Sequence, residues 1–337
     1  MRPTRPESQP TSDADRTLSL RYPHSLLRNF RFPVVIFGNA TGDHLLALPA
    51  FRALASLFPS RLSIVCMPGF RRTFFSGLPV RSILEIKMSR KLPRTFNAAS
   101  AARRIGKCDL LISINPWRSV SLDGLVGLVA PDLSIGFSPA FRIPLRQQFA
   151  EHATAEAFRV PARINPRLRL TDFAYPLRLP PQVRPRIREF LRAVAPGKRI
   201  LTVHNETKSN KVWPRNRMRR LLRAFLERHP DFVVFILNFK KPNLRLPDFK
   251  DRIIHSRRLP LLYAFGVVRE CDLFLGADSS MLHAADMFRV PGVGLFGPTD
   301  PRRYGFRFAH HRHVRNRRGM RYIRESAVLA ALESLLR

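Results

Sequence analysis

Short apolar runs alternate with amphipathic stretches along most of the chain. Apolar runs bounded by turn residues are typical of strands buried on both faces of a parallel sheet, whereas the stretches between them carry the helical period. Regular alternation of strand and helix predicts an α/β fold with a doubly wound, mostly parallel sheet. The predicted strands are residues 32–37, 62–66, 82–86, 109–114, 133–137, 199–204, 232–237, 252–255, 272–275 and 290–296.

Helices are predicted between these strands. The last is expected to pack back on the protein, with the first half of the chain as one option. The predicted helices are residues 44–58, 96–106, 119–130, 147–158, 183–194, 216–229, 259–270, 281–288 and 325–336.

A proline-crowded segment, Pro161–Pro185, divides the alternation into two halves. The length of 337 residues suits two domains, each able to bury its own core. Residues 1–31 are rich in Pro, Ser and Arg and show little periodicity, which indicates a disordered basic arm. We therefore predict an arm at 1–31, a first domain at 32–175 and a second domain at 176–337.

The net charge is extreme. Lys and Arg number 59 against 24 Asp and Glu, which gives +35. Such a field favours polyanions: nucleic acid, an anionic membrane surface or a phosphorylated glycolipid. The arginines are spread over every segment, so a solvated basic surface without a partner explains the charge equally well.

Cysteine and histidine give no metal signature. The 3 cysteines, Cys66, Cys108 and Cys271, lie far apart, which predicts reduced thiols in a cytosolic protein. His310, His311 and His313 are close in sequence, but no second group of ligands accompanies them, so we predict a solvated basic loop. No apolar run is long enough to span a bilayer.

Polar loops follow several predicted strands. One is Gly38–Asp43 in the first half; the others are Asn205–Pro214, Asp278–Ser280 and Gly297–Asp300 in the second. Ligands of parallel sheets bind outside the carboxyl ends of the strands. A site in a cleft between two α/β domains would bring these loops together.

These loops carry groups suited to a diphosphate and to proton transfer. The second half offers the N–H groups of a helix beginning near Ser280, the hydroxyl of Thr299, and the ammonium of Lys211 or Lys208. The first half offers the carboxylate of Asp43, for which capping of the following helix is the simpler alternative.

In this order and spacing, the loops resemble the ADP-heptose:lipopolysaccharide heptosyltransferases of glycosyltransferase family 9. The family's G-x-x-G-D turn and L-P-A-x-R-A-L helix correspond to Gly38–Leu54. Its T-x-x-x-K-x-W-P loop corresponds to Thr207–Pro214. Its D-T-G-x-x-H-x-A signature corresponds to Asp278–Ala285, followed by a P-x-x-x-x-F/Y-G-P-T-D-P segment at Pro291–Pro301.

The resemblance implies a GT-B architecture, in which two Rossmann-like domains face each other across a cleft. It implies an inverting transfer with Asp43 as general base. On the acceptor side it places Gly38, Asn39, Thr41, Gly42 and His44. Around the donor diphosphate it places Thr207, Lys208, Lys211, Asp278, Ser279, Ser280, His283 and Thr299.

The resemblance also implies the partners. The donor is a nucleotide-diphosphate sugar, with ADP-heptose as the leading candidate, and no metal or other cofactor is required. The acceptor is an anionic glycolipid such as the lipopolysaccharide core. These partners predict a monomer in the cytoplasm, in peripheral contact with the inner face of the bacterial inner membrane.

Two positions depart from the family pattern. Ser279-Ser280 stands where the family has Thr-Gly, and serine at 279 keeps the hydroxyl. The segment Asn238–Pro242 follows a strand after which the family commonly has an acidic residue near the ribose, and no carboxylate occurs here before Asp248.

The alternative reading is a catalytically inactive GT-B-like protein that binds nucleic acid or anionic lipid through its basic surface. No aromatic-and-basic stacking motif supports nucleic-acid binding. A nucleotide-sugar epimerase of similar architecture is a further option, disfavoured by the positions of Lys211 and Asp278.

Overall fold

The computed structural model describes residues 29–89, 95–238, 244–256 and 258–336. Most of the predicted basic arm, residues 1–28, lies outside the described residues, as do residues 239–242 of the predicted turn after the strand at 232–237. No described helix is both long enough and apolar enough to cross a membrane.

The first half of the chain forms a six-stranded parallel sheet in the order β3-β2-β1-β4-β5-β6. Every residue of β1 and β4 is buried, as expected for strands covered on both faces. The strands are β1 (Pro33–Ile36), β2 (Ser63–Cys66), β3 (Ser82–Glu85), β4 (Leu110–Ser113), β5 (Leu133–Gly136) and β6 (Ile143–Pro144).

The second half repeats this arrangement. Its six parallel strands run in the order β12-β11-β10-β7-β8-β9, which is the same order when counted from β7. This is the doubly wound order of dinucleotide-binding folds, so the predicted pair of Rossmann-like sheets is confirmed. The strands are β7 (Arg199–His204), β8 (Phe232–Ile236), β9 (Ile253–His255), β10 (Leu273–Ala277), β11 (Gly292–Phe296) and β12 (His311–Arg315).

Helices connect the parallel strands. In the first half they are α1 (Thr41–Leu57), α2 (Phe70–Phe74), α3 (Ala98–Ile105), α4 (Val120–Val129), α5 (Ala153–Ile164) and α6 (Leu170–Phe173). In the second half they are α7 (Val183–Val194), α8 (Arg215–Arg228), α9 (Leu261–Glu270), α10 (Ser280–Met287), α11 (Pro301–Tyr304) and α12 (Glu325–Glu333).

The helices on either side of residue 175 pack on different neighbours. Helix α6 packs on α1 of the first sheet, and α7 packs on α9 of the second. The terminal helix α12 packs against α8 and β12 of the second sheet, where the sequence left the first half as one option.

One apolar cluster continues from the first sheet into the second. It includes Leu48 and Phe51 of α1, Phe265 of α9 and Met281 of α10, all essentially inaccessible to solvent. The ring of Phe74 in α2 lies 6.4 Å from that of Phe265. The two halves therefore share a hydrophobic interface and are not joined by the linker alone.

Arg52 of α1 fixes the segment that leads into the second half. Its guanidinium donates hydrogen bonds to the carbonyls of Phe173, Tyr175 and Pro176, and lies 3.7 Å from the centroid of the Tyr175 ring. Burial lowers the pKa of Arg52 to about 10, with Tyr175 opposing the shift and Arg178 adding to it. A buried cation with this many acceptors holds the chain at the end of the first domain in one place.

Two predicted elements differ from the structure. The helix expected at 147–158 begins instead at Ala153, because the His152 ring caps it by accepting a hydrogen bond from the Thr154 N–H at 3.2 Å. The histidine-rich segment expected to be a loop forms β12, in which the His311 and His313 rings stack on Phe306. An imidazole ring can cover an apolar side chain, so histidines can occupy an edge strand. Their polarity alone predicts a solvated loop instead.

Candidate active site

The strand order reverses once in each sheet, between β1 and β4 and between β7 and β10. Loops that leave the carboxyl ends of such strand pairs diverge, and the crevice between them is the usual ligand site of open α/β sheets. In the first half these loops lead to the start of α1 and to Trp117; in the second they carry Thr207–Lys211 and Asp278–Ser279.

A cleft of about 910 Å³ lies between the loops of the two halves. All eight residues predicted to hold the donor line it, as do Thr41, Gly42 and Asp43 from the acceptor side. The lining residues are Ala40, Thr41, Gly42, Asp43 and Trp117 from the first half, and Glu206, Thr207, Lys208, Asn210, Lys211, Asp278, Ser279, Ser280, His283, Pro298, Thr299 and Tyr304 from the second.

An ion pair organises the part of the cleft formed by the second half, which we call the donor side after the residues predicted there. The Lys211 ammonium lies 2.5 Å from the Asp278 carboxylate, whose side chain is 6% exposed. The Thr207 hydroxyl donates to the backbone carbonyl of Asp278 at 3.0 Å. The loop after β7 is thereby tied to the loop after β10, and the ammonium is held at one position facing the cleft.

Two hydroxyl groups beside this pair have no partner. Ser279 Oγ and Thr299 Oγ1 make no hydrogen bond to any described residue, although both atoms are buried. Buried polar atoms in proteins are nearly always hydrogen-bonded, and exceptions call for an explanation. Both residues line the cleft next to the amino end of α10, where backbone N–H groups and the helix dipole favour an anion.

His283 contributes a neutral ring to the cleft. Burial lowers its pKa to about 4, with the Asp278 carboxylate opposing this shift and Lys211 adding to it. Its Nε2 atom lies 3.7 Å from Asp278 Oδ1. A histidine that is uncharged at neutral pH can offer a hydrogen bond to a diphosphate but supplies no positive charge.

Asp43 caps α1 and also faces the cleft. It is the third residue of α1, and its Oδ2 atom accepts a hydrogen bond from the Ala40 N–H at 3.1 Å, as a helix-capping carboxylate does. It also lines the cleft.

The first turn of α1 packs directly on the first turn of α10. A Cβ atom added to Gly42 would lie 3.0 Å from Cδ2 of His283 and 3.6 Å from Cα of Ser280. The absence of a side chain at Gly42 therefore allows the turn that bears Asp43 to approach the donor side of the cleft.

Three residues predicted on the acceptor side lie outside the main cleft. Gly38 donates its N–H to Asn115 Oδ1 at 3.2 Å, and a Cβ there would lie 2.2 Å from Met88 Sδ. Asn39 is buried beside a separate cavity of about 30 Å³ that also touches Asp43.

The prediction for His44 is wrong. One helical step past Asp43, its ring points into the core among Phe37, Phe70 and Phe74, and it has no exposed surface.

Sequence reasoning missed several residues of the cleft. Trp117 follows β4, so the rule that located the other loops could have found it. Tyr304 and Pro298 lie beside the Thr299 loop, and Glu206 and Asn210 lie within the loop after β7. Among the residues that the structure describes, no group of three or more His, Cys, Asp or Glu side chains could hold a metal ion.

Comparison with known sequences decides the family. The sequence profile of glycosyltransferase family 9 (heptosyltransferase) matches residues 153–326, just over half of the chain. The chain belongs to glycosyltransferase family 9. It is a glycosyltransferase, and the matched region contains every donor-side residue described above. No curated protein matches this sequence.

Solved structures of family 9 share the fold. A family 9 glycosyltransferase from Veillonella parvula superposes with a TM-score of 0.73 at 17% identity, over 91% of this chain and 97% of that one. The ADP-heptose lipopolysaccharide heptosyltransferase II of E. coli gives 0.67 at 14% identity, over 90% and 98% of the two chains. An E. coli heptosyltransferase solved with ADP gives 0.65 at 16% identity, over 90% and 99%. This glycosyltransferase therefore has the predicted GT-B architecture.

Proposed function

We propose that this family 9 glycosyltransferase moves a heptose from ADP-heptose to a hydroxyl group of an anionic, lipid-linked glycan such as the lipopolysaccharide core. The observation that carries the proposal is one cleft joining Asp43 of the first half to the Lys211–Asp278 pair and the unpartnered hydroxyls of the second. The choice of ADP-heptose is supported by structural relatives named for that donor or solved with ADP.

The reaction needs one displacement. The Asp43 carboxylate takes the proton of the acceptor hydroxyl while its oxygen attacks the anomeric carbon of the heptose. The bond between that carbon and the diphosphate oxygen breaks, ADP leaves with the bonding electrons, and the configuration at carbon inverts. The hydrogen bond from the Ala40 N–H orients the carboxylate for this step.

Negative charge grows on the leaving diphosphate, and the donor side is arranged to receive it. Lys211 supplies a positive charge whose position is fixed by Asp278. The N–H groups at the start of α10 and the hydroxyls of Ser279 and Thr299 supply hydrogen bonds. Donors placed in advance where charge develops stabilise the transition state more than the ground state. Lys208 and the neutral His283 complete the site, which on this proposal requires no metal.

The acceptor explains the charge of the chain. A net charge of +35 attracts the enzyme to lipid phosphates and acidic sugars at a membrane surface. On this proposal the enzyme works as a monomer in the cytoplasm, at the inner face of the inner membrane.

Thermal melting with a panel of nucleoside diphosphates tests the donor. A ligand that binds only the native state raises the melting midpoint. We expect a shift with ADP that is larger than with UDP, GDP or CDP, and release of ADP from ADP-heptose only when a lipopolysaccharide core acceptor is present. A shift with duplex DNA or anionic vesicles, with none for any nucleotide, would instead support a binding protein without catalysis.

A further inference from the structure

A contact between the two halves lies next to the proposed catalytic carboxylate. Arg303, in α11 of the second half, donates from Nη1 to the backbone carbonyls of Gln148 at 3.1 Å and Glu151 at 3.3 Å, both in the first half. In the same place His152 Nε2 lies 3.0 Å from the carbonyl of Gly305. We refer to Gln148, Glu151, His152, Arg303 and Gly305 as the interdomain clasp.

The first-half side of the clasp is held rigidly. The Thr154 N–H donates to Nδ1 of His152, so the ring proton is on Nε2 and donates to Gly305. Both carboxylate oxygens of Glu156 accept from the Gln148 N–H, at 3.1 and 3.0 Å. The Glu156 side chain is buried, and its loss would release the backbone that Arg303 grips.

On the second-half side, the clasp is joined directly to the loop Pro298–Asp300, which we call the donor loop. Helix α11 directly follows Pro298–Asp300, which contains the unpartnered Thr299 hydroxyl. Arg303 is 9% exposed, and its guanidinium lies 5.3 Å from the centroid of the exposed Phe149 ring, a further contact with the first half.

Arg303 of the clasp also lines the cavity next to Asp43. The cavity of about 30 Å³ beside that carboxylate is lined by Asn39 and Trp117 from the first half and by Arg303 and Tyr304 from the second. Tyr304 lines the main cleft as well. A cavity of this size admits a water molecule or one polar group, and neither half could form it alone.

We propose that Arg303 is a positioning residue for glycosyl transfer. By gripping the segment at 148–152 it fixes the donor loop of the second half relative to Asp43 of the first half. The proposal rests on the proposed function, because it concerns the geometry between the base and the donor. Misplacement of reacting groups by about 1 Å can cost about 100-fold in rate.

The variant Arg303→Gln tests this role, and Arg289→Gln is its matched control. Arg289 also links the two halves, since its Nη2 atom donates to the carbonyl of Ala174 at 2.7 Å, but it lines neither the cleft nor the small cavity. We expect Arg303→Gln to lower kcat by about 10- to 100-fold with the Kd for ADP unchanged. We expect Arg289→Gln to keep kcat within about threefold. Equal losses in both variants would overturn the proposal.

Two further variants separate positioning from folding. His152→Asn keeps the capping of α5, because Asn is a good N-cap, but loses the bond to Gly305. Arg303→Lys keeps the charge but loses the planar fork. We expect both to melt close to the wild-type temperature and to show intermediate kcat values. If Arg303→Lys and Arg303→Gln both fold and both keep the wild-type kcat, Arg303 has no positioning role.

Hydrogen exchange gives a measurement that does not depend on activity. In Arg303→Gln, and not in Arg289→Gln, amides at 37–44 and 299–305 should exchange faster than in the wild type. This result would support the clasp even if ADP failed to bind, an outcome that would refute the proposed function alone. Unchanged exchange at both segments would refute the clasp.

Discussion

The Lys211 ammonium and the Asp278 carboxylate, 67 positions apart in sequence, lie 2.5 Å from each other on the donor side of the cleft. Side chains from loops after β7 and β10 meet there because the two strands are neighbours at the switch point of the second sheet. A buried carboxylate that fixes a lysine makes the lysine a precise donor to a third group, and a diphosphate entering the cleft would complete the arrangement.

Replacing Lys211 by Met should weaken ADP binding by about 10-fold or more, because a charged hydrogen bond contributes about 1.5–3 kcal/mol. The change also removes the Lys211 partner of the Asp278 carboxylate, so the free energy of unfolding should fall by about 1–3 kcal/mol. Isothermal titration and chemical unfolding measure the two effects. Lys198→Met is the control, since Lys198 is an exposed lysine of the same half that lies outside the cleft. Equal ADP affinities for wild type and Lys211→Met would exclude Lys211 from the diphosphate site.

Replacing Asp43 by Asn should lower kcat by about 100- to 10,000-fold, the usual contribution of a general base, and leave ADP affinity unchanged. The amide oxygen can still accept from the Ala40 N–H, so the loss concerns proton transfer and not the local fold. Asp123→Asn provides a comparison, because Asp123 is a first-turn aspartate of α4 outside the cleft. Substantial transfer by Asp43→Asn would show that another group takes the proton.

Gly42→Ala should reduce transfer and destabilise the fold by roughly 1 kcal/mol, because its methyl group would press on the His283 ring at 3.0 Å. Gly127→Ala in α4 should have the opposite effect on stability, a gain of roughly 0.5–1 kcal/mol. Apart from its chain neighbours and the backbone of α4, no atom lies within 4 Å of the added methyl, and alanine favours a helix. Denaturant unfolding of both variants, with transfer rates, makes the comparison. A neutral Gly42→Ala would mean that the first turns of α1 and α10 have room to separate.

Three histidines should make the fold sensitive to mild acid. Burial lowers the pKa of His152, His283 and His313 to about 4, from about 6.5 in the unfolded chain. Below pH 6.5 the unfolded chain therefore binds more protons, so stability is full above that pH and declines as the pH falls toward 4. The melting midpoint measured between pH 4 and 7.5 should show this decline, and His313→Gln should flatten it. A midpoint that stays constant between pH 4.5 and 6.5 would contradict buried neutral rings at these positions.

The sequence predicted the regular elements and the loops that meet at the cleft, because each depends on local information. Buried parallel strands appear as apolar runs, and the switch-point rule then places their following loops together. Lys211 and Asp278 were found in this way. His44 was misplaced for a related reason: the polar turn Gly38–Asp43 has already become the helix α1 by Thr41, and the helical rotation turns the next ring into the core.

The missed residues depend on contacts distant in sequence. Arg303 finds its acceptors 155 and 152 positions earlier in the chain, and no local pattern announces such a pair. The sequence predicts a helix that includes the segment at 148–152. The true start at Ala153 is hidden in the sequence because its cap is a histidine, a residue outside the common capping set. Trp117 differs, because the same switch-point rule applied to the loop after β4 could have located it.

The apolar cluster shared by the two sheets limits how this enzyme could be recombined. Exchange of whole domains between relatives is a route to new donor and acceptor pairs, and the groups proposed to bind the donor all lie within one half of the chain. Yet α1 packs on α10, and its side chains Leu48 and Phe51 belong to the same cluster as Met281. A chimera that kept the second half and replaced the first would therefore need to inherit this face of α1, or it would bury a mismatched hydrophobic interface directly behind Asp43.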